Sequence, residues 1–147
     1  MKFTVAALAM AGLMVAGSFP ARGTLGAAEK SQWDGVYTQD QAARGGELYA
    51  QYCATCHGAD LGGGEMAPSL VGGEFNASWN DLSLNELFER IRKTMPQNSP
   101  GSLNRQQNAD IVAFILSKGQ FPTGAAELPT ATDALTGIKY LAQKPAQ

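Results

Sequence analysis

Cysteine and histidine are scarce in this chain. It has two of the first, Cys53 and Cys56, and one of the second, His57. A zinc site of four ligands would therefore have to be completed by Asp or Glu. Once the two cysteines serve any other purpose, none is left for a structural disulfide. Strand-like alternation of apolar and polar residues is missing, and so are internal repeats, which removes sheet-based and solenoid architectures. The N-terminal apolar stretch from Phe3 to Gly17 falls short of the ~20 residues that a spanning helix needs. Basic charge is not in excess either: 11 Lys and Arg stand against 13 Asp and Glu, a balance that argues against a nucleic-acid partner. With 44% hydrophobic and 16% charged residues, the composition is that of a globular chain and not a disordered one.

The scarce residues are gathered in one place, Cys53-Ala54-Thr55-Cys56-His57. On a helix Cys53 and Cys56 lie at i and i+3 and His57 at i+4, so the three side chains share a face. This is the C-x-x-C-H attachment signature of c-type haem. Two thiols can add to the two vinyl groups of one porphyrin, and the neighbouring imidazole can reach its iron. Two other readings stay open at this point. A bare C-x-x-C also serves as a zinc half-site or a redox dithiol. A dithiol of the thioredoxin kind wants a strand leading in, whereas a helical pattern leads in here.

Lys2 followed by the apolar Phe3–Gly17 run and small residues reads as a secretory signal, 1–28. Both Ala16-Gly17-Ser18 and Gly26-Ala27-Ala28 offer a cleavage point, and an uncleaved membrane anchor is the alternative. Loss of 1–28 would remove Lys2 and Arg22 and move the formal charge from −2 to −4. The expected organisation is then a linker over 29–36, one domain over 37–122 and a C-terminal tail over 123–147. Export agrees with haem attachment, which takes place outside the cytoplasm.

Three helices are expected. Thr38 and Gln41 form a capping box for a helix from Gln39 to about Tyr52, with Ala42, Leu48, Tyr49 and Tyr52 as its apolar face. Gly45 and Gly46 inside it mark a close crossing by another helix, or else a break. Ser83 and Glu86 cap a second helix with Leu84, Leu87, Phe88 and Ile91 on one face. It ends near Thr94 because Pro96 disfavours helical geometry at Met95. Asn104 and Gln107 cap a third with Ile111, Phe114 and Ile115 inward, stopped by Gly119 at C′ and by Pro122. The glycine-rich stretch Gly58–Gly64 reads as a loop without the Lys-Ser/Thr of a phosphate cradle. Phe75 and Trp79 fall in a polar loop. The tail has a weak pattern of Leu135, Ile138 and Leu141, equally consistent with a docked helix and with loose chain.

From Tyr37 to Pro122 the chain resembles class I c-type cytochromes, small monohaem electron carriers. The likeness runs through Gly45-x-x-x-Tyr49-x-x-x-Cys53-Ala-Thr-Cys56-His57 and through Ala109-Asp110-Ile111-Val-Ala-Phe114. More narrowly, Gly119-Gln-Phe121-Pro122 and Glu127-Leu-Pro129 resemble bacterial cytochromes that serve periplasmic quinoprotein dehydrogenases. The resemblance implies an all-α cytochrome c fold, with three main helices around one covalently attached haem c. It implies that the first helix packs on the last near Ile111 and Phe114, and that the Pro68 carbonyl in Ala67-Pro68-Ser-Leu70 accepts a hydrogen bond from the ligating imidazole. Trp79 resembles a tryptophan near a haem propionate, with plain core packing as the alternative. Met95-Pro96 resembles the loop of the distal ligand.

The expected cofactor site is therefore Cys53, Cys56, His57, Met95, Pro68, Leu70 and Trp79, with iron bound by His57 and Met95. Leu70, Phe75, Leu87 and Ile91 would be apolar walls. If Met1, Met10 and Met14 leave with the signal, only Met66 competes with Met95. Met66 lies in the loop needed to hold His57, while Met95 follows a whole helix that can cross to the opposite face. The expected function is one-electron transfer in the periplasm from a dehydrogenase to an oxidase or another cytochrome, without enzymatic activity of its own. A membrane would be a partner only if the signal stays as an anchor. Arg90, Arg92, Lys93 and Arg105 are candidates for steering an acidic partner. The competing functions are a haem with an open site for small ligands or peroxide, and a haem subunit tethered to a dehydrogenase.

Overall fold

The computed structural model describes residues 29–146; the expected signal segment 1–28 lies outside them. Three helices dominate, as expected: α1 (Gln39–Tyr52), α4 (Leu84–Thr94) and α5 (Arg105–Lys118). Between and after them come α2 (Ala54–His57), α3 (Gly72–Trp79) and α6 (Thr132–Thr136). A two-residue parallel pair, β1 (Lys30–Ser31) and β2 (Ile138–Lys139), brings the two ends of the described chain together.

The organising contact is the crossing of α1 over α5. A Cβ on Gly45 would sit 1.8 Å from the Asp110 carbonyl oxygen and 2.9 Å from the Phe114 Cβ, so only glycine lets the two backbones meet there. One residue on, a Cβ on Gly46 would touch the edge of the Phe114 ring at 3.1 Å. Tyr49, one turn further along α1, packs on the same ring with centroids 5.2 Å apart. The two glycines thus mark a crossing and not a break. Arg44 straddles it, bonding Asp110 through Nε and Nη2 and reaching Glu127 at 2.8 Å.

Capping follows the sequence with one exception. Glu86 accepts from the Ser83 amide at 2.8 Å, and Asn104 and Gln107 bond reciprocally at 2.9 Å. At α1 only half the box forms. Thr38 Oγ1 accepts from the Gln41 amide at 3.2 Å, but the Gln41 side chain turns inward and pairs with both backbone groups of Leu128. The inward face of α1 therefore includes Gln41, while Tyr52, expected inside, is exposed. The stop of α5 also differs from expectation. Gly119 is the C-cap with φ −72°, and Gln120 takes the left-handed conformation at φ 64°. The Phe121 amide then reaches the Leu116 carbonyl and the Gln120 amide the Ser117 carbonyl, the bonding pattern of a Schellman turn set one residue later.

Two segments differ more. Phe75 and Trp79, expected in a loop, lie on α3, which has no side-chain cap. The tail holds this helix in place. Tyr140 donates to Asn76 Oδ1 at 2.6 Å, and its ring meets Phe75 edge-on. The stretch 29–36, expected as a linker with only Trp33 packed on the domain, is held more widely. Ser31, Gln32 and Val36 are buried, Gln32 pairs with the backbone of Leu141, and Trp33 Nε1 donates to the Leu141 carbonyl at 2.9 Å. Residues 123–142 dock on the domain, with Leu128, Leu135, Ile138 and Tyr140 fully buried. Helix α5 packs on both α1 and α4, and from Asn108 to Leu116 it is buried nearly all round, beyond the single face of Ile111, Phe114 and Ile115 expected from sequence.

Candidate functional site

The C-x-x-C-H segment hangs from the end of α1. Cys53 leaves helical geometry (φ −124°, ψ −35°), its amide still bonded to the Tyr49 carbonyl, and α2 starts directly after it. The amides of Cys56 and His57 both reach the Cys53 carbonyl, at 3.1 and 3.0 Å, so one turn carries both thiols and the imidazole. Gly58 (φ 79°) ends this turn. Tyr49 locks its carbonyl with a 2.7 Å hydrogen bond, and burial pushes that phenol up to about 12.

The chain next folds back under the imidazole. Leu61, wholly buried, is the pivot: its carbonyl accepts from the Leu70 amide at 2.9 Å and from Ser69 Oγ at 3.1 Å. Gly63 (φ 73°) makes the return tight, since a Cβ there would fall 2.5 Å from the Ser69 nitrogen. Its amide bonds the His57 carbonyl at 2.9 Å. The product of this loop is one contact: His57 Nδ1 lies 2.9 Å from the Pro68 carbonyl oxygen. A carbonyl only accepts, so Nδ1–H is the donor in this contact, and in the neutral ring Nε2 is then the nitrogen with a lone pair. His57 is itself buried, which fixes the ring.

Of the expected pocket residues, Cys53, Leu70, Trp79 and Ile91 are half-buried and packed on the core, while Phe75 and Leu87 are buried in it. Trp79 stacks at a tilt on Phe75, centroids 6.1 Å apart. Met95 is half-buried at the end of α4 in extended geometry (φ −123°, ψ 153°), whereas Met66 is 76% exposed. Of the expected steering residues, Arg92, Lys93 and Arg105 are all engaged by Glu89, at 2.8, 3.3 and 2.8 Å. The sequence reading did not single out Tyr49, Leu61, Gly63 or Ser69 for the site. A lone leucine among glycines was the available signal for the pivot.

The donor set fits haem c. Two thiols and an imidazole whose Nδ1 is engaged are carried on one turn, and Cys53, Leu70, Trp79 and Ile91 are left half-buried, with apolar surface that a large flat cofactor would cover. The other two readings fit poorly. Burial, followed by the neighbouring Cys56, pushes the Cys53 thiol up to about 11, the opposite of the low value that a redox dithiol needs. No group of three or more His, Cys, Asp or Glu is gathered for a metal ion among the described residues, so a zinc site lacks its other ligands.

Fold and site together define a c-type cytochrome domain. Residues 40–115 match the family described as cytochrome c oxidase, cbb3-type, subunit III, and the chain belongs to that family. It thus carries covalently bound haem c and has the all-α cytochrome c fold of a haem-binding electron carrier. Two curated relatives are similar over part of the chain. One is the cytochrome bc1 complex cytochrome c subunit of Corynebacterium efficiens, 33% identical over 97 residues, which are 63% of this chain and 31% of that protein. The other is a thiosulfate dehydrogenase of Stutzerimonas stutzeri, 33% identical over 81 residues, 51% of this chain and 26% of that protein. The chain therefore spans less than a third of the curated relatives it matches. Among solved structures, the sulfane dehydrogenase SoxCD of Paracoccus pantotrophus aligns with a TM-score of 0.46 and 24% identity, over 60% of this chain and 53% of that one. Among the described residues no helix is long and apolar enough to cross a membrane.

Proposed function

We propose that this protein is an exported, periplasmic one-electron carrier whose haem c is held by Cys53 and Cys56 and ligated by His57 and Met95. In this reading it passes electrons from a dehydrogenase to an oxidase or another cytochrome and catalyses no reaction of its own. The observation that carries it is the His57 Nδ1–Pro68 carbonyl contact of 2.9 Å, which leaves Nε2 as the nitrogen offered to iron. When bound, the haem supplies one exchangeable electron at its iron.

The chain's own residues do the rest. The Pro68 carbonyl orients the imidazole and raises its basicity. The half-buried position of Met95, against the exposure of Met66, supports Met95 as the thioether ligand, which favours the reduced state and raises the potential. Leu70, Leu87 and Ile91 exclude water and favour the less charged state in the same direction. Trp79, at the end of α3, would stand near a propionate. The docked tail favours a free carrier over a tethered subunit, since segment 123–142 is used inside the domain.

The test is fractionation and redox titration of the native protein. The periplasmic fraction should hold a chain that lacks residues 1–28, keeps its haem stain on a denaturing gel and titrates as a single one-electron couple. A cytoplasmic chain with its signal intact, or haem lost on denaturation, would refute the proposal.

A further inference from the structure

Helix α4 ends at Met95 and α5 begins at Arg105, so segment 95–104 is a loop between two helix ends. Its internal bonds are few and local. Ser99 donates to the Pro96 carbonyl at 2.9 Å and Ser102 to the Ser99 carbonyl at 3.3 Å. The strong ties are at its base. Arg105 turns back across it: Nη1 donates to Glu89 Oε1 at 2.8 Å and Nε to the Thr130 carbonyl at 2.7 Å, while the guanidinium lies 4.6 Å above the ring of buried Phe88. Glu89 is held from its own helix as well, by Arg92 through Nε and Nη2 and by Lys93. One carboxylate and one guanidinium thus join α4, α5 and the tail at the foot of the loop that carries Met95.

We propose that Glu89 and Arg105 clamp segment 95–104 shut and are positioning residues for Met95 on the haem iron. The inference rests on Met95 being the ligand. Segment 95–104 is otherwise anchored by Asn108 Nδ2 on the Leu103 carbonyl at 3.0 Å and by buried Pro96 and Leu103, with residues 97–102 bonded only locally. Cutting the tie between its flanking helices gives such a loop more conformations, and each conformation that withdraws the sulfur leaves the iron open to another ligand. Arg105 serves three acceptors, Glu89, the Thr130 carbonyl and Thr132 Oγ1, through a rigid fork while stacked on an aromatic ring, which lysine cannot reproduce.

The test compares holoprotein variants well below their unfolding temperatures. Glu89→Gln and Arg105→Lys are set against Arg44→Met, which cuts the comparable Asp110–Glu127 network on the α1–α5 side. Three readouts are taken: the sulfur-to-iron band at the red end of the oxidised spectrum, the rate of carbon monoxide binding to the reduced protein, and amide hydrogen exchange over 95–104. In Glu89→Gln and Arg105→Lys the band should weaken, the amides exchange faster and carbon monoxide bind about fivefold faster, the factor that loss of a partly exposed ion-pair network sets on an opening equilibrium. Arg44→Met should match the wild type in all three while losing thermal stability. If both clamp variants lose thermal stability but keep wild-type band, exchange and binding, the pair is structural and the proposal is overturned. A wild type without the band removes the Met95 reading and the positioning role with it. Exchange over 95–104 then still reports separately whether the loop is clamped.

Discussion

The Glu89 carboxylate shows how much a single side chain can be asked to do at the surface of this fold. It faces Arg92, Arg105 and Lys93, and is 17% exposed. The Arg92 guanidinium above all, then Arg105 and Lys93, outweighs the effect of burial and holds the Glu89 carboxyl at about 2. Because the folded value lies below the unfolded one, the stabilisation is complete above the ordinary carboxylate range near 4.5. It is lost as pH falls from there toward 2. Glu89→Gln should therefore lower thermal stability at pH 7, by about 1 kcal/mol for a partly exposed network. Between pH 4.5 and 2 it should flatten the decline seen in the wild type. Thermal unfolding of the holoprotein at pH 7, 4.5 and 2.5 measures both; parallel declines would show that Glu89 titrates as an ordinary surface acid. The sequence showed Arg92, Lys93 and Arg105 as candidate steering charges. It could not show Glu89 between them, because the Arg105 contact closes across the loop.

Among the elements, the α1–α5 crossing was legible and α3 was not, for one physical reason. A crossing tight enough to exclude side chains has to be written as glycine, and Gly45-Gly46 inside a capped amphipathic pattern says so. The two glycines differ in what they tolerate. At Gly45 a methyl group would meet helix backbone at 1.8 Å, which cannot yield without parting the helices. Gly45→Ala should cost about 3 kcal/mol or more. At Gly46 it would meet the edge of the half-buried Phe114 ring at 3.1 Å, which can shift. The better helix propensity of alanine then offsets the crowding, and Gly46→Ala should change stability by less than about 1 kcal/mol. Chemical denaturation of the two variants checks this, and equal costs would contradict the crossing geometry. Helix α3 has no such mark. It starts at Gly72-Gly73, has no side-chain cap and is fixed by Tyr140 from the tail, so nothing local announces it.

On the scale of the whole molecule, the ends of the described chain close the structure. Gln32 and Gln41 each use a side-chain amide as a strand would use its backbone, pairing with both backbone groups of Leu141 and Leu128. In sequence both glutamines look like surface residues, which is why 29–36 read as a linker and 123–147 remained ambiguous. The haem segment, by contrast, was fully legible, because Cys53, Cys56 and His57 carry their chemistry within one helical turn. If the docked tail is core, Leu135→Ala should cost about 3 kcal/mol, as large-to-small changes do at fully buried sites. A loosely attached tail would show no loss in thermal or chemical unfolding.

The central claim is the iron's second axial ligand, and the oxidised absorption spectrum tests it most directly. The wild type should show the weak sulfur-to-iron charge-transfer band at its red end. Met95→Ala should abolish that band, lower the potential and let cyanide bind readily, while Met66→Ala leaves all three nearly unchanged. Loss of the band in Met66→Ala instead would move the ligand to the exposed loop. A band absent from the wild type, with cyanide binding unaffected by either change, would contradict His/Met ligation and return the haem to an open-site function.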